Sequence, residues 1–159
     1  MRRILIAIAL LTPRAAHASA QTAFYVEGGA MSAVGVSEFQ AGLRGSPALL
    51  DGTGIDFAVA TLPAHFSDGL VLVMSDLDAT IHRPLSPSVA VAARLGGTGV
   101  FGAGSGGGGA ALGINAGGGL IFKLNASLLL RFDYTHRWFM SDGSTLGLSS
   151  FTLGIGVGN

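Results

Sequence analysis

Between Ser127 and Phe139 the chain alternates strictly. Leu128, Leu130, Phe132, Tyr134, His136 and Trp138 fall on one side, and Leu129, Arg131, Asp133, Thr135 and Arg137 on the other. Successive strand side chains point to opposite faces, so this segment is a strand whose charges all point one way. The same period of two recurs along the chain. Glu38 and Arg44 share a face opposite Phe39, Ala41 and Leu43, and Asp56 lies opposite Ile55, Phe57 and Val59. Asp76 and Asp78 oppose Val71, Val73, Leu77 and Ile81, and Phe151, Leu153, Ile155 and Val157 alternate with Ser150, Thr152, Gly154 and Gly156. No long stretch follows a helical period, and 26 glycines are too many for helix interiors.

The pattern predicts about eight strands with turn chemistry between them. They run roughly over Ala23–Ser32, Val36–Gly45, Gly54–Leu62, Gly69–Ile81, Ser88–Val100, Ala110–Leu124, Ser127–Phe139 and Leu148–Gly158. Asn125 and Ala126 leave room only for a tight hairpin. Pro84 and Pro87 mark a turn, Gly102–Gly109 reads as a glycine-rich loop, and Ser141-Asp142-Gly143-Ser144 as a polar loop.

Alternation alone also fits a soluble sandwich with its apolar face inward. Composition shifts the balance. Charged residues make up 11 % of the 159-residue chain, against about 25 % in ordinary soluble domains. The strands approach the roughly nine to eleven residues that cross a bilayer with tilt. Their apolar faces are nearly free of charge, and the opposite faces carry small residues and charges of both signs, which suits a narrow polar lumen. The expected fold is all-β, an antiparallel up-and-down transmembrane β-barrel of about eight strands. Its lumen is expected to hold Glu27, Glu38, Asp56, Asp76, Asp78 and Asp133 against Arg44, Arg94, Lys123, Arg131 and Arg137. Side chains just fill an eight-stranded barrel, so no open pore follows. Asp76 and Asp78 are read as structural, meeting Arg94 or Arg131 across the barrel. Tyr134, Trp138 and Phe139 are expected to form an aromatic girdle at the membrane interface.

The first twenty residues have the organisation of a secretory signal. Arg2 and Arg3 form the basic start, Ile4–Leu11 the apolar stretch, and Ala18-Ser19-Ala20 a small-x-small cleavage site. The expected domains are therefore a signal peptide over 1–20 and a barrel over 21–159. Cleavage leaves six basic against nine acidic residues, a mildly acidic mature chain. No cysteine is present, and nothing clusters basic charge as nucleic-acid binding requires.

Three segments carry a resemblance. They are Gly117-Gly118-Gly119-Leu120-Ile121-Phe122-Lys123-Leu124, Leu128-Leu129-Leu130-Arg131-Phe132-Asp133-Tyr134, and Phe151-Thr152-Leu153-Gly154-Ile155-Gly156-Val157. This run is similar to the C-terminal half of small bacterial outer-membrane β-barrel proteins, the class that includes the OmpA-like and OmpX-like barrels. The resemblance implies eight antiparallel strands in the outer membrane of a Gram-negative cell, with both termini in the periplasm. Loops near Ser32, Pro63, Gly104 and Ser141 then face outward, and turns near Pro47, Pro84 and Asn125 face the periplasm. It implies outer-membrane lipids and the barrel-assembly machinery as partners, a monomer, and a structural or surface-interaction role without catalysis. Family members usually end on an aromatic residue, which the assembly machinery reads; this chain ends Gly156-Val157-Gly158-Asn159.

Other chemistry is thin. Gly102-Ala103-Gly104-Ser105-Gly106-Gly107 fits a dinucleotide fingerprint as a string but lacks a following helix. His65, His82 and His136 lack metal-ligand spacing, so no metal or other cofactor is expected. His65, Ser67 and Asp68 are too close in sequence for a triad. His136 near Ser141 is similar to the pair in surface lipid A deacylases, also eight-stranded barrels, but their local histidine–serine motif is missing. Two alternatives to a non-catalytic barrel stand: an outer-membrane lipid-modifying enzyme using His136 or His65, and a secreted soluble barrel binding a small apolar ligand with Leu128, Leu130 and Phe132 turned inward.

Overall fold

The computed structural model describes residues 22–33, 36–50, 52–141 and 144–158. The signal-peptide segment lies outside the described residues. Eight strands follow one another in the order of the chain: β1 (Thr22–Ala33), β2 (Val36–Leu50), β3 (Thr53–Thr61), β4 (Val71–Ser86), β5 (Val89–Gly104), β6 (Gly107–Lys123), β7 (Leu128–Ser141) and β8 (Ser144–Gly158). Each pairs antiparallel with its neighbours, and β1 pairs with β8, so the sheet closes on itself. Closure leaves no strand edge unpaired, which is the condition for strands to lie in lipid. The expected all-β up-and-down barrel is the observed fold.

Most strands are longer than the alternation alone delimits, and the differences sit at prolines and glycines. Pro47 is no turn residue: it lies within β2 opposite Thr22, beside a register shift at Ala48/Leu50 in the pairing with β3. Pro84 likewise lies inside β4 opposite Ala90, next to a shift at Pro84/Ser86, and the chain reverses at Pro87-Ser88. A proline gives no N–H to a ladder, so a strand tolerates it where pairing is already irregular. Gly102–Gly109 is not a loop. β5 and β6 stay paired from Gly102↔Gly109 to Gly104↔Gly107, with Ser105-Gly106 as the turn. Gly107, at φ 124°, occupies backbone space that L side chains rarely enter, which is why the hairpin tip needs glycine there. A short 3₁₀ turn, Pro63–Asp68, joins β3 to β4.

Alternation sets two surfaces. Outward stand Phe24, Val26, Leu43, Phe57, Leu77, Leu95, Phe132, Leu153 and Ile155, all exposed. Inward stand almost all of the buried charges. This is the reverse of a soluble fold, whose surface carries its charge and rarely shows so broad an apolar area.

Candidate functional site

The barrel interior is built in three layers along its axis. The middle layer is a chain of alternating charges. Arg44 grips Glu27 twice, Nε to Oε2 at 2.9 Å and Nη2 to Oε1 at 3.3 Å. Arg44 Nη1 also stands 3.9 Å from Asp56 Oδ2. Arg131 donates from Nη2 to the same Asp56 oxygen at 2.7 Å and from Nε to Asp133 Oδ2 at 2.6 Å. Arg94 pairs through Nη1 with Asp133 Oδ1, donates to Thr135 Oγ1 at 2.5 Å, and lies 3.7 Å from Asp78 Oδ2. Glu27, Arg44, Asp56, Arg131, Asp133, Arg94 and Asp78 thus form one continuous path through six strands. A separate pair joins Arg137 to Asp76 at 3.0 and 2.5 Å, with Thr98 donating to the same carboxylate at 2.7 Å.

The Arg131–Asp56 contact joins β7 to β3, which stand four strands apart in a ring of eight and therefore on opposite walls. The side chain of Arg131 is 1 % exposed. Desolvation alone costs several kcal/mol per ion, so such charges need their partners and remaining polar atoms met. Arg131 meets this by giving its third nitrogen to Ser46 Oγ at 2.8 Å. Arg44 Nη1, Arg94 Nε and Asp78 Oδ2 reach only ion-pair distance, and these atoms and Asp78 Oδ1 have no hydrogen bond among the described residues.

The glycines of β6 make room for the network. Gly117 and Gly119 point into the bore; a Cβ on Gly117 would meet Arg94 Nε at 3.0 Å, and one on Gly119 would strike the Asp133 carboxylate. Long arginines from β5 and β7 can therefore lie across β6.

The second layer is apolar. Met31, Ala60, Leu62, Met74, Phe139 and Leu148 pack together at the end where β1 meets β2, β3 meets β4 and β7 meets β8. Above them His65 Nε2 in the 3₁₀ turn contacts Glu38 Oε2 of β2 at 2.8 Å. The third layer, at the opposite end, is open.

Sequence-predicted residues fall as follows. Glu27, Arg44, Asp56, Asp76, Asp78, Arg94, Arg131, Asp133 and Arg137 are buried inside. Glu38 is only half-buried, at the end of the barrel beyond the apolar layer. Lys123 has the inward parity of β6 but is exposed at the open mouth, outside the ion-pair network, because β6 ends there. Asp78 does approach Arg94, but Asp76 meets Arg137 rather than Arg94 or Arg131. Phe139 corrects the expected girdle. It is 6 % exposed and belongs to the inner apolar layer, because it is adjacent to Trp138 and so must face the other way. Tyr134 points outward onto Phe151, with ring centroids 4.8 Å apart, and Trp138 stands edge-on to His136 at 4.5 Å. Phe132, 45 % exposed, is outward, against the inward placement required of a soluble apolar-ligand barrel.

Register brings together one group that sequence spacing hides. His136 and Ser149 are direct cross-strand partners, Nδ1 to Oγ at 2.7 Å, with Tyr134 Oη 3.2 Å from the same oxygen. The signal was available only through the β7–β8 pairing, since Ser141 is nearer in sequence.

Known structures share this architecture. OprG from Pseudomonas aeruginosa matches with a TM-score of 0.64 over 91 % of this chain and 98 % of its own, at 9 % identity. The N-terminal β-barrel domain of Pseudomonas aeruginosa OprF gives 0.61 over 89 % and 100 %, at 16 % identity. Ail, the attachment invasion locus protein of Yersinia pestis, gives 0.58 over 89 % and 100 %, at 12 % identity. The fold is that of the small eight-stranded outer-membrane β-barrels. No protein-family model matches the sequence, and no curated protein matches it. At these identities the likeness is one of fold, and function resides in the barrel's own side chains.

Proposed function

We propose that the protein is a monomeric barrel of the cell outer membrane, closed to conduction, with a structural or surface-interaction role and no catalysis. The observation that carries this is the combination of an apolar outer wall with a bore filled by the Glu27-to-Asp78 charge path and capped by the Phe139 layer. Outer-membrane lipids are its surroundings and the barrel-assembly machinery its partner in biogenesis. The test is gel mobility in SDS, boiled against unboiled, on the membrane-extracted protein, followed by planar-bilayer recording. The expected result is a heat-dependent mobility shift, outer-membrane fractionation, and no stable conductance steps. A soluble protein without a shift overturns the membrane reading; stable steps in a protein that does shift overturn only the closed bore.

The His136–Ser149 contact favours a second reading, an outer-membrane lipid-modifying enzyme. A hydroxyl bonded to an imidazole on the outward face is the beginning of a nucleophile–base pair. Against it, no described carboxylate is hydrogen-bonded to His136, and its Nε2 lies next to Gly147. Ser149→Ala is expected to leave the acyl-chain profile of outer-membrane lipids, read by mass spectrometry, unchanged. A change that disappears in Ser149→Ala and His136→Ala while the barrel stays heat-modifiable transfers the proposal to the enzyme.

A further inference from the structure

The open third layer is a cavity of about 310 Å³ at the end where β1 begins and β8 finishes, lined by Ala23 and Gly158 among others. Its inner end carries three hydrogen-bonding side chains, Tyr25, Ser46 and His82. Behind them stands Arg131, bonded to Ser46 Oγ and 5.4 Å from the Tyr25 ring centroid. His82 Nε2 is buried and has no hydrogen-bond partner among the described residues. Buried polar atoms are normally satisfied, so an unmet nitrogen on a side chain that lines a cavity marks where a ligand's polar group gains most, once a turn of the imidazole brings that nitrogen to the cavity surface. One long wall is apolar, from Pro84, Val89, Ile121 and Leu129. At the mouth Lys123 is exposed, and no described carboxylate lines the cavity or pairs with the Lys123 amine. The inner arginine differs in this respect, since Asp56 and Asp133 already neutralise it.

We propose that this cavity binds a small amphipathic carboxylate bearing a hydrogen-bonding group at its far end. The carboxylate sits at Lys123, the one uncompensated charge among the described lining residues. An aromatic or short aliphatic body lies along the Pro84–Leu129 wall, and the far polar group reaches Tyr25, Ser46 and His82. The volume is at the lower end of the range of small-molecule sites, which limits the ligand to a metabolite-sized molecule. The apolar Phe139 layer closes the other end of the bore, so the ligand enters and leaves by the Lys123 mouth. That this mouth faces the periplasm rests on the outer-membrane reading; the site itself does not.

The test uses the full barrel in nanodiscs, with 4-hydroxybenzoate as the probe and ¹H–¹⁵N NMR as the readout. Saturable shifts are expected at the amides of Tyr25, Ser46, His82 and Lys123. Lys123→Gln, at an exposed position, is expected to weaken the probe by about fivefold, the size of one solvent-exposed charge contact. 4-Hydroxybenzyl alcohol, which lacks the carboxylate, is expected to bind the native protein no better than 4-hydroxybenzoate binds the variant. Ala90→Leu, on the cavity lining, is expected to abolish the shifts. Shifts that never saturate, that cluster at the opposite end of the barrel, or that are equal for acid and alcohol overturn the proposal. The folded spectrum establishes the barrel in the same sample, so a failed titration leaves the membrane reading standing.

Discussion

Arg131→Met is expected to lower the unfolding free energy of the barrel by about 3–5 kcal/mol, measured by urea titration in lipid vesicles. The variant keeps the length and much of the packing of the arginine stem, so the loss reads the charge. Without the guanidinium, Asp56 loses its cross-barrel partner at 2.7 Å and Asp133 loses its contact at 2.6 Å, and both carboxylates remain buried. Asp133 keeps Arg94, but Asp56 keeps only Arg44 at 3.9 Å, and a buried charge left so poorly paired is the costly outcome, more than the net worth of the pair. Lys123→Gln serves as a control of similar charge change, and at an exposed rim position it is expected to stay within about 0.5 kcal/mol of the native protein. A loss below about 1 kcal/mol in Arg131→Met would show that the bore is wet enough to solvate the carboxylates, and the filled-bore account would go with it.

Leu153→Arg probes the other surface. Leu153 is 48 % exposed near the middle of β8, between Phe132 of β7 and Gly28 of β1. If lipid covers it, an arginine there is expected to cost about 2–4 kcal/mol, as at the midplane of membrane barrels. On a water-facing wall the same change is expected to fall within about 0.5 kcal/mol. Unfolding in vesicles, compared with Met140→Arg on the same outer wall close to the β7–β8 hairpin, separates the two. Equal, small losses at both positions would remove the lipid belt from the proposal.

The fold was readable because alternation and charge coincide. Arg131, Asp133 and Arg137 on one side of β7 fix which face is polar, and Leu128 to Trp138 fix the other. Glycine and proline hid the rest. β5 and β6 continue through Gly102–Gly109 because backbone pairing needs no side chain, so a run of glycines broken only by Ala103 and Ser105 shows no period there. Phe139 shares the parity of Arg137 and so faces inward; its neighbourhood with Tyr134 and Trp138 suggests an aromatic cluster that alternation forbids. The partners of each charge were not readable at all. Arg131 and Asp56 are 75 residues apart, and their contact depends on strand register and barrel shear together. The His136–Ser149 contact has the same origin: thirteen positions separate the two in sequence, and only the β7–β8 register makes them neighbours. The cavity at the Lys123 mouth has lining residues from both ends of the chain and leaves no local trace.

Closure of β1 on β8 sets the order of assembly. Ala23 pairs with Gly158, so the first strand cannot complete its hydrogen bonds until the last has been made and delivered. Until then two edges stay open and the apolar outer wall has no solvent suited to it, the conditions under which chains associate wrongly. The charge path adds to the delay, because Arg131 and Asp56 meet only when opposite walls are already in place. Folding of this chain is therefore a late, all-strand event, slow by virtue of its long-range pairings. Its success depends on keeping the unfinished chain solitary until its two ends meet.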